Sequence, residues 1–432
     1  MSQKHLRVDT ADLKFGMYVA ELDRPWLGTP FLFQGFTIED DDELQQLKDC
    51  CDHVFVDATR SLLAEEKQRR ISDAARPAKA ENLKPVPQST MLDVISSLDS
   101  SGTLAGRIQA RPYHNTVSTH AEASRATMAY DAAASVMADI LGKLQSGKGL
   151  DTETLRVAMS PMIDSVTRNQ DAMAWLVQLR KRDTYAYNHS LASSVWAVIL
   201  GRHLGFDRAG LDTLAMDGLL LDMGKAEIAA EILVKPTPLD ERERKIMRTH
   251  VERGARMAAD APGMTADIMA MIDGHHERHD GSGYPQGLAG AEIPVFGRIA
   301  GLVDTFDAMI TARPYARAKS SYDAIRELNS LAGTAFQREL VEQFVQALGM
   351  FPTGSLVQLN TGEVGIVIEQ NRVRRLRPKL MLLLQADKSP VNAHSTVDLR
   401  TVPASGSGPS ARWIVCGLEP GAHGLDPRDF FA

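Results

Sequence analysis

Hydrophobic and polar positions along the chain fall into distinct regimes. Residues 1–75 hold short apolar runs, HLRV, GMYVAEL and VFVDA, with the length and β-branched content of strands. Asp40, Asp41 and Asp42 are placed to cap a helix running through Leu47, so this segment predicts a small α/β or β-rich module. Across 76–118 the chain turns to Pro, Ala, Ser, Gly and Lys, clearest in AARPAKAENLKPVPQS. That predicts a flexible linker with one short helix at MLDVISSL. Over 119–150, Met128, Ala132, Val136, Ile140 and Leu144 recur near the helical period and predict a connecting helix with one apolar face. Such a face packs within the chain or forms a dimer.

From 151 to 350 the periodicity is helical throughout, with helices predicted over 152–168, 171–182, 184–204, 209–223, 238–260, 264–276, 294–312 and 321–348. At Thr237-Pro238-Leu239-Asp240 the threonine suits a cap, the proline a first turn and the aspartate the positive end of the dipole. This segment predicts an all-α domain. After Phe351 the pattern becomes that of strands. SLVQLN, the turn TGE and VGIVIE predict a β-hairpin within an extension over 351–400, and LMLLLQAD adds an apolar strand. Arg372, Arg374, Arg375, Arg377 and Lys379 give that extension a basic edge, read as a solvated face. Residues 401–432, rich in Ser, Gly and Pro, predict a loosely ordered tail.

Composition narrows the function classes. An apolar share of 44% beside 24% charged residues is that of a water-soluble chain with large cores. A net charge of −7 argues against polymeric nucleic acid as a partner, although local metals and arginines still allow a small phosphate ligand. Cys50, Cys51 and Cys416 form neither a disulfide framework nor a CxxC knuckle. With no signal-like apolar segment and no run of membrane-spanning length, the expectation is a cytoplasmic protein.

Chemistry concentrates at 275–285, HHERHDGSGYP. His275 and His276, followed by Glu277, Arg278, His279 and Asp280, gather ligand and proton-carrying groups, and Gly281, Gly283 and Pro285 force the backbone out of helix. These residues resemble the HHExxDGxGYP signature of the HD-GYP family, bacterial phosphodiesterases of the HD superfamily that hydrolyse cyclic di-GMP. Residues 1–75 resemble the poorly characterised domain that often precedes such modules. The resemblance implies metal ligands at His189, Asp222, His250, His275, His276 and Asp304. It implies catalytic roles for Asp222 and Lys225, and substrate contacts for Lys225, Arg313, Arg317 and Tyr284. Arginine suits phosphate because its planar fork donates two bonds at once. A divalent metal lowers the pKa of bound water and screens phosphate charge, and imidazole with carboxylate suits iron or manganese, with zinc and nickel as alternatives.

Two positions depart from the family pattern. Where members read HDxGK, this chain reads Leu221-Asp222-Met223-Gly224-Lys225, so one first ligand is a leucine without a lone pair. Where some members place a glutamate for a third metal stands Tyr185, which leaves one or two metals as the expectation. Three-ligand sites remain chemically sound, so two readings stay open. One is a phosphodiesterase that opens cyclic di-GMP to linear pGpG and onward to GMP. The other is an impaired module that senses cyclic di-GMP or docks GGDEF-type signalling proteins through the GYP loop. The resemblance implies control of biofilm or motility in either case.

Overall fold

The structure is a computed structural model that describes residues 5–24, 36–38, 41–57, 61, 95–96, 98–99, 104–108, 113–146, 148–179, 185–259, 261–312, 317–371, 374–402 and 411–425. Three apolar runs near the start become strands β1 (His5–Asp9), β2 (Tyr18–Leu22) and, after a short β3 (Phe36–Thr37), β4 (His53–Asp57). They pair antiparallel in the order β1-β4-β2-β3, and helix α1 (Asp41–Cys50) crosses between β3 and β4. Leu47 of α1 meets Val19, Val54 and Val56 in a small core of its own.

The helical domain follows. Its elements are α2 (Thr119–Gln145), α3 (Thr152–Arg168), α4 (Gln170–Leu179), α5 (Tyr185–Leu204) and α6 (Arg208–Leu220). Then come α7 (Glu241–Arg248), α8 (His250–Ala259), α9 (Ala266–Gly274), α10 (Val295–Ile310), α11 (Ser321–Ser330) and α12 (Arg338–Leu348). Aspartate caps start three of them: Asp151, Asp207 and Asp240 each accept a main-chain N–H from the first turn. At Asp240 the cap is reciprocal, because Glu243 reaches back to the Asp240 N–H. The cap therefore lies three residues after the one expected at Thr237. The predicted 238–260 helix also breaks at Thr249, whose hydroxyl donates to the Ile246 carbonyl, and His250 opens a new helix there. A second break divides the predicted 321–348 helix, where Gly333 takes φ +82°.

The buried stripe on α2 differs from the expected one. Ala126, Tyr130, Ala133, Met137, Ile140 and Leu144 face the core, whereas Met128 is 72% exposed. Steps of four residues drift around a helix of 3.6 residues per turn, so a strict four-residue series leaves the core face within two turns. Within the stretch expected to be a linker, Ile95, Leu98 and Leu104 are buried in the same core as α2 and α5. That core centres on edge-to-face pairs between Trp196 and Phe306, at 5.4 Å, and between Phe306 and Phe344, at 5.2 Å. These rings hold α5, α10 and α12 together, and α5 and α10 carry the residues described below.

The hairpin after Phe351 forms as predicted, from β5 (Leu356–Leu359) and β6 (Val364–Glu369). The sheet extends through β7 (Lys379–Leu384), β8 (Pro390–Asp398) and β9 (Ile414–Leu418), in the antiparallel order β8-β7-β6-β5-β9. β9 lies inside the expected loose tail. Its pairing with β5 makes it part of the sheet. Among the described residues no helix is long and apolar enough to cross a membrane.

Candidate metal centre

Five segments of the helical domain deliver donor atoms to one place. His189 sits near the start of α5, Asp222 in the turn after α6, and His250 at the first position of α8. His275 and His276 follow the end of α9, and Asp304 projects from α10. The donors form two groups, Asp222 with His250, His275 and His276, and His189 with Asp222 and Asp304, each within 4.8 Å of one another. Asp222 belongs to both. Two glycines permit the approach: a Cβ on Gly224 would overlap the His250 carbonyl, and one on Gly301 would lie 2.6 Å from the His275 carbonyl.

In the histidine-rich group, hydrogen bonding settles the tautomers. His250 Nδ1 donates to the Met247 carbonyl at 2.7 Å, and His275 Nδ1 donates to the Ile272 carbonyl at 2.8 Å. A carbonyl only accepts, so both rings present a bare Nε2, and these two atoms face each other at 3.3 Å. Burial lowers His250 to about 4, and burial likewise lowers His275 and His276, so the rings are neutral at pH 7. Two facing lone pairs in a dry interior need a cation to share. The donor set thus fits a divalent metal on its own chemistry, with imidazole nitrogens and one carboxylate of the kind favoured by iron, manganese, zinc and nickel.

The second group is electrostatically self-satisfied. His189 Nε2 lies 2.8 Å from Asp304 Oδ1, and its Nδ1 lies 2.7 Å from Asp307 Oδ2. Burial opposes the charged ring, yet the hydrogen bonds to Asp304 and Asp307 outweigh it and raise His189 to about 10. Asp307 is held in turn by Trp196 Nε1 at 3.0 Å and Thr311 Oγ1 at 3.2 Å. Asp304 stays well below the usual carboxylate range because, against the cost of burial, it accepts from His189.

Asp222 links the two groups. Its Oδ1 stands 3.4 Å from His250 Nε2 and has no hydrogen bond among the described residues, while Oδ2 stands 3.8 Å from His189 Nε2 and 2.5 Å from Lys225 Nζ. Burial would raise its pKa, but Lys225 and His250 hold it below the ordinary range. Leu221, next to it, is 1% exposed and belongs to the apolar core. Where the family pattern places an imidazole, this chain places a packed hydrocarbon.

The GYP loop braces the histidine pair. Tyr284 stacks on His276 with ring centres 4.6 Å apart, and the Arg248 guanidinium lies over the Tyr284 ring, 4.7 Å from its centre. Glu277, grouped at first with the potential ligands, is used otherwise. Its buried carboxylate accepts from the main-chain N–H groups of Gln286, Gly287 and Leu288 at 2.7, 3.2 and 3.0 Å, clamping the loop. Asp280 accepts from Ser282 in a local turn. The Tyr284–Pro285 peptide is cis.

Of the expected arginine pair, only Arg317 is among the described residues, and it lines a cleft apart from these donors. Arg313 lies outside the described residues, as does the Tyr185 side chain. Arg317 is exposed and lines a separate cleft of about 640 Å³ with Ile310, Ala312, Asp323, Leu418 and Glu419, and no donor residue lines that cleft. Sequence reasoning missed Asp307, Arg248 and the buried Asp217. Asp307 was marked only by its three-residue spacing from Asp304 in DTFD, which places both on one helix face.

The chain is similar to known proteins over each of its three regions. The HD domain family matches residues 170–340, a domain of unknown function (DUF3391) matches 5–155, and a KOW domain associated with HD domains matches 356–404. The chain is 28% identical over 395 residues to a cyclic di-GMP phosphodiesterase of Pseudomonas aeruginosa, covering 91% of this chain and 88% of that one. It is 35% identical over 166 residues to a cyclic di-GMP phosphodiesterase of Thermotoga maritima, covering 38% of this chain and 45% of that one. It is 33% identical over 175 residues to a 3'3'-cGAMP-specific phosphodiesterase of Vibrio cholerae, covering 40% and 33%. The chain thus spans most of the first relative and less than half the length of the other two. Residues 170–340 thus match the HD domain family, and the histidine pair and the GYP tyrosine within them lie together at one set of donor atoms, as the resemblance to HD-GYP proteins implies.

Proposed function

We propose that this protein is a metal-dependent phosphodiesterase that opens cyclic di-GMP to linear pGpG in bacterial second-messenger signalling. The observation that carries the reading is Asp222, a carboxylate shared by a neutral histidine cluster and a second His–Asp group. The relatives in Pseudomonas aeruginosa and Thermotoga maritima, both cyclic di-GMP phosphodiesterases, suggest the substrate class. In this reading His189, Asp222, His250, His275, His276 and Asp304 hold one or two divalent ions. A bound ion supplies an activated water and neutralises phosphate charge. Lys225 places an ammonium beside Asp222, where it meets a substrate phosphoryl oxygen. Asp307 fixes the His189 ring, and the Tyr284 and Arg248 stack fixes that of His276. Hydrolysis adds one water: an oxygen–phosphorus bond forms, the phosphorus–O3' bond breaks, and the freed 3'-oxygen takes up the proton.

Leu221 favours a second reading, because a packed leucine cannot ligate and the module then serves as a cyclic di-GMP receptor. One experiment separates the two. Purified wild type and Leu221→His are assayed for bound metal and for turnover of cyclic di-GMP and 3'3'-cGAMP. The enzyme reading expects wild type to bind metal and convert cyclic di-GMP to pGpG. Binding of cyclic di-GMP without turnover, with turnover gained only by Leu221→His, would establish the receptor.

A further inference from the structure

Asp217 is a buried acid that the proposed reaction leaves unused. It lies on α6 four residues before Leu221, so both share one helix face a single turn apart. The residue is fully buried, and neither carboxylate oxygen has a hydrogen-bond partner among the described residues. On α5, one turn beyond His189, Ser193 Oγ is likewise buried and unpartnered. The two helices touch backbone to backbone at this level, because a Cβ on Gly218 would overlap the main chain of Ser194. A buried carboxylate without partners is among the costliest arrangements a core can hold, and it calls for a ligand or a function. Burial, and after it the negative charge of Asp304, push its carboxyl well above the usual carboxylate range.

We propose that Asp217 stands in for the imidazole that position 221 lacks, as an outer-sphere carboxylate that helps hold a metal through one water. Three observations define that role. Asp217 sits one turn below the residue that withholds a ligand, its oxygens have no other partner, and they join neither group of directly facing donor atoms. A bound cation would favour its ionised form, and a water between the two would give its oxygens the partner they lack. Ser193 Oγ offers the same water a further partner. Asp217 is therefore a positioning residue, and its role rests on the metal-dependent reading above.

The test titrates Mn²⁺ calorimetrically into the metal-stripped full chain as wild type, Asp217→Asn, Leu221→His and the double variant. Melting temperatures are taken without metal. Asp217→Asn is expected to weaken Mn²⁺ binding by about 10-fold or more while the metal-free melting temperature holds or rises. Leu221→His is expected to restore binding in the double variant. If Asp217→Asn gives no folded protein, Asp217→Ser is read in the same way. Unchanged Mn²⁺ affinity in the Asp217 variant overturns the proposal, as does a loss that Leu221→His fails to restore. Mn²⁺ bound by neither wild type nor Leu221→His overturns the metal reading together with it. Equal binding by wild type and Asp217→Asn leaves the metal reading standing and removes only Asp217.

Discussion

The two halves of the donor set use the same residue types to opposite electrostatic effect. Around His250 and His275, main-chain carbonyls take both Nδ1 protons, and the bare Nε2 atoms face each other. Around His189, carboxylates take both ring nitrogens, and the proton stays on a ring raised to about 10. The difference teaches that the partner of the far nitrogen decides whether a buried histidine awaits a cation or already is one. Metal should enter the first half readily, and it must displace a proton to enter the second.

The largest effect should come from the residue common to both halves. Asp222→Ala is expected to lower metal affinity by more than about 100-fold, because it removes a ligand and leaves Lys225 without its carboxylate. Metal content by mass spectrometry checks it, and full occupancy in the variant would show that the halves are not joined there. Next, His275→Ala should cost about 100-fold in Mn²⁺ affinity and His189→Ala about 10-fold. Equal losses would erase the contrast between the halves.

The third effect is a pH dependence confined to the second half. Folding raises the His189 pKa from its ordinary value near 6.5 to about 10, so the folded protein holds a proton that the unfolded chain releases between those values. Its stabilisation is complete below about pH 6.5 and disappears as pH rises through about 10. Denaturant melts of the metal-stripped protein should therefore show lower stability at high pH, and His189→Gln should flatten that slope. Mn²⁺ affinity should rise over the same window, as the competing proton leaves. The smallest effect concerns the ring stack. Arg248→Ala should lower Mn²⁺ affinity by about 2- to 5-fold, since a cation–π contact at an exposed position contributes about 0.5–1 kcal/mol. A loss as large as that of His275→Ala would make Arg248 more than a brace.

The order of strands and helices was legible wherever periodicity and chemistry agreed. The hairpin of β5 and β6 and the span of α3 follow directly from pattern. The predicted 238–260 and 321–348 helices failed at single residues. Thr249 ends a helix by bonding its own previous turn, and Gly333 adopts a left-handed backbone. Neither event disturbs the apolar period, so the pattern runs through both breaks. Strand β9 was hidden by its Ser- and Gly-rich surroundings, and only its pairing with β5 identifies it.

For the site, the family signature marked the residues that the structure gathers into the two groups. It could not mark Asp307, whose role exists only because α5 packs against α10 through Trp196 and Phe306. Glu277 shows the converse. Within HHE it looks like a ligand, and only three converging amide hydrogens reveal a loop clamp.

The contacts at Gly224 and Gly301 carry a consequence for how the site tolerates change. The spacing between donor segments is set by one peptide unit resting on another, not by the volumes of side chains. The gauge of the centre is thus decoupled from the composition of the core. Substitutions among Leu, Ile and Met elsewhere in the bundle can accumulate without widening it, whereas a single methyl group at either glycine would prise the ligands apart.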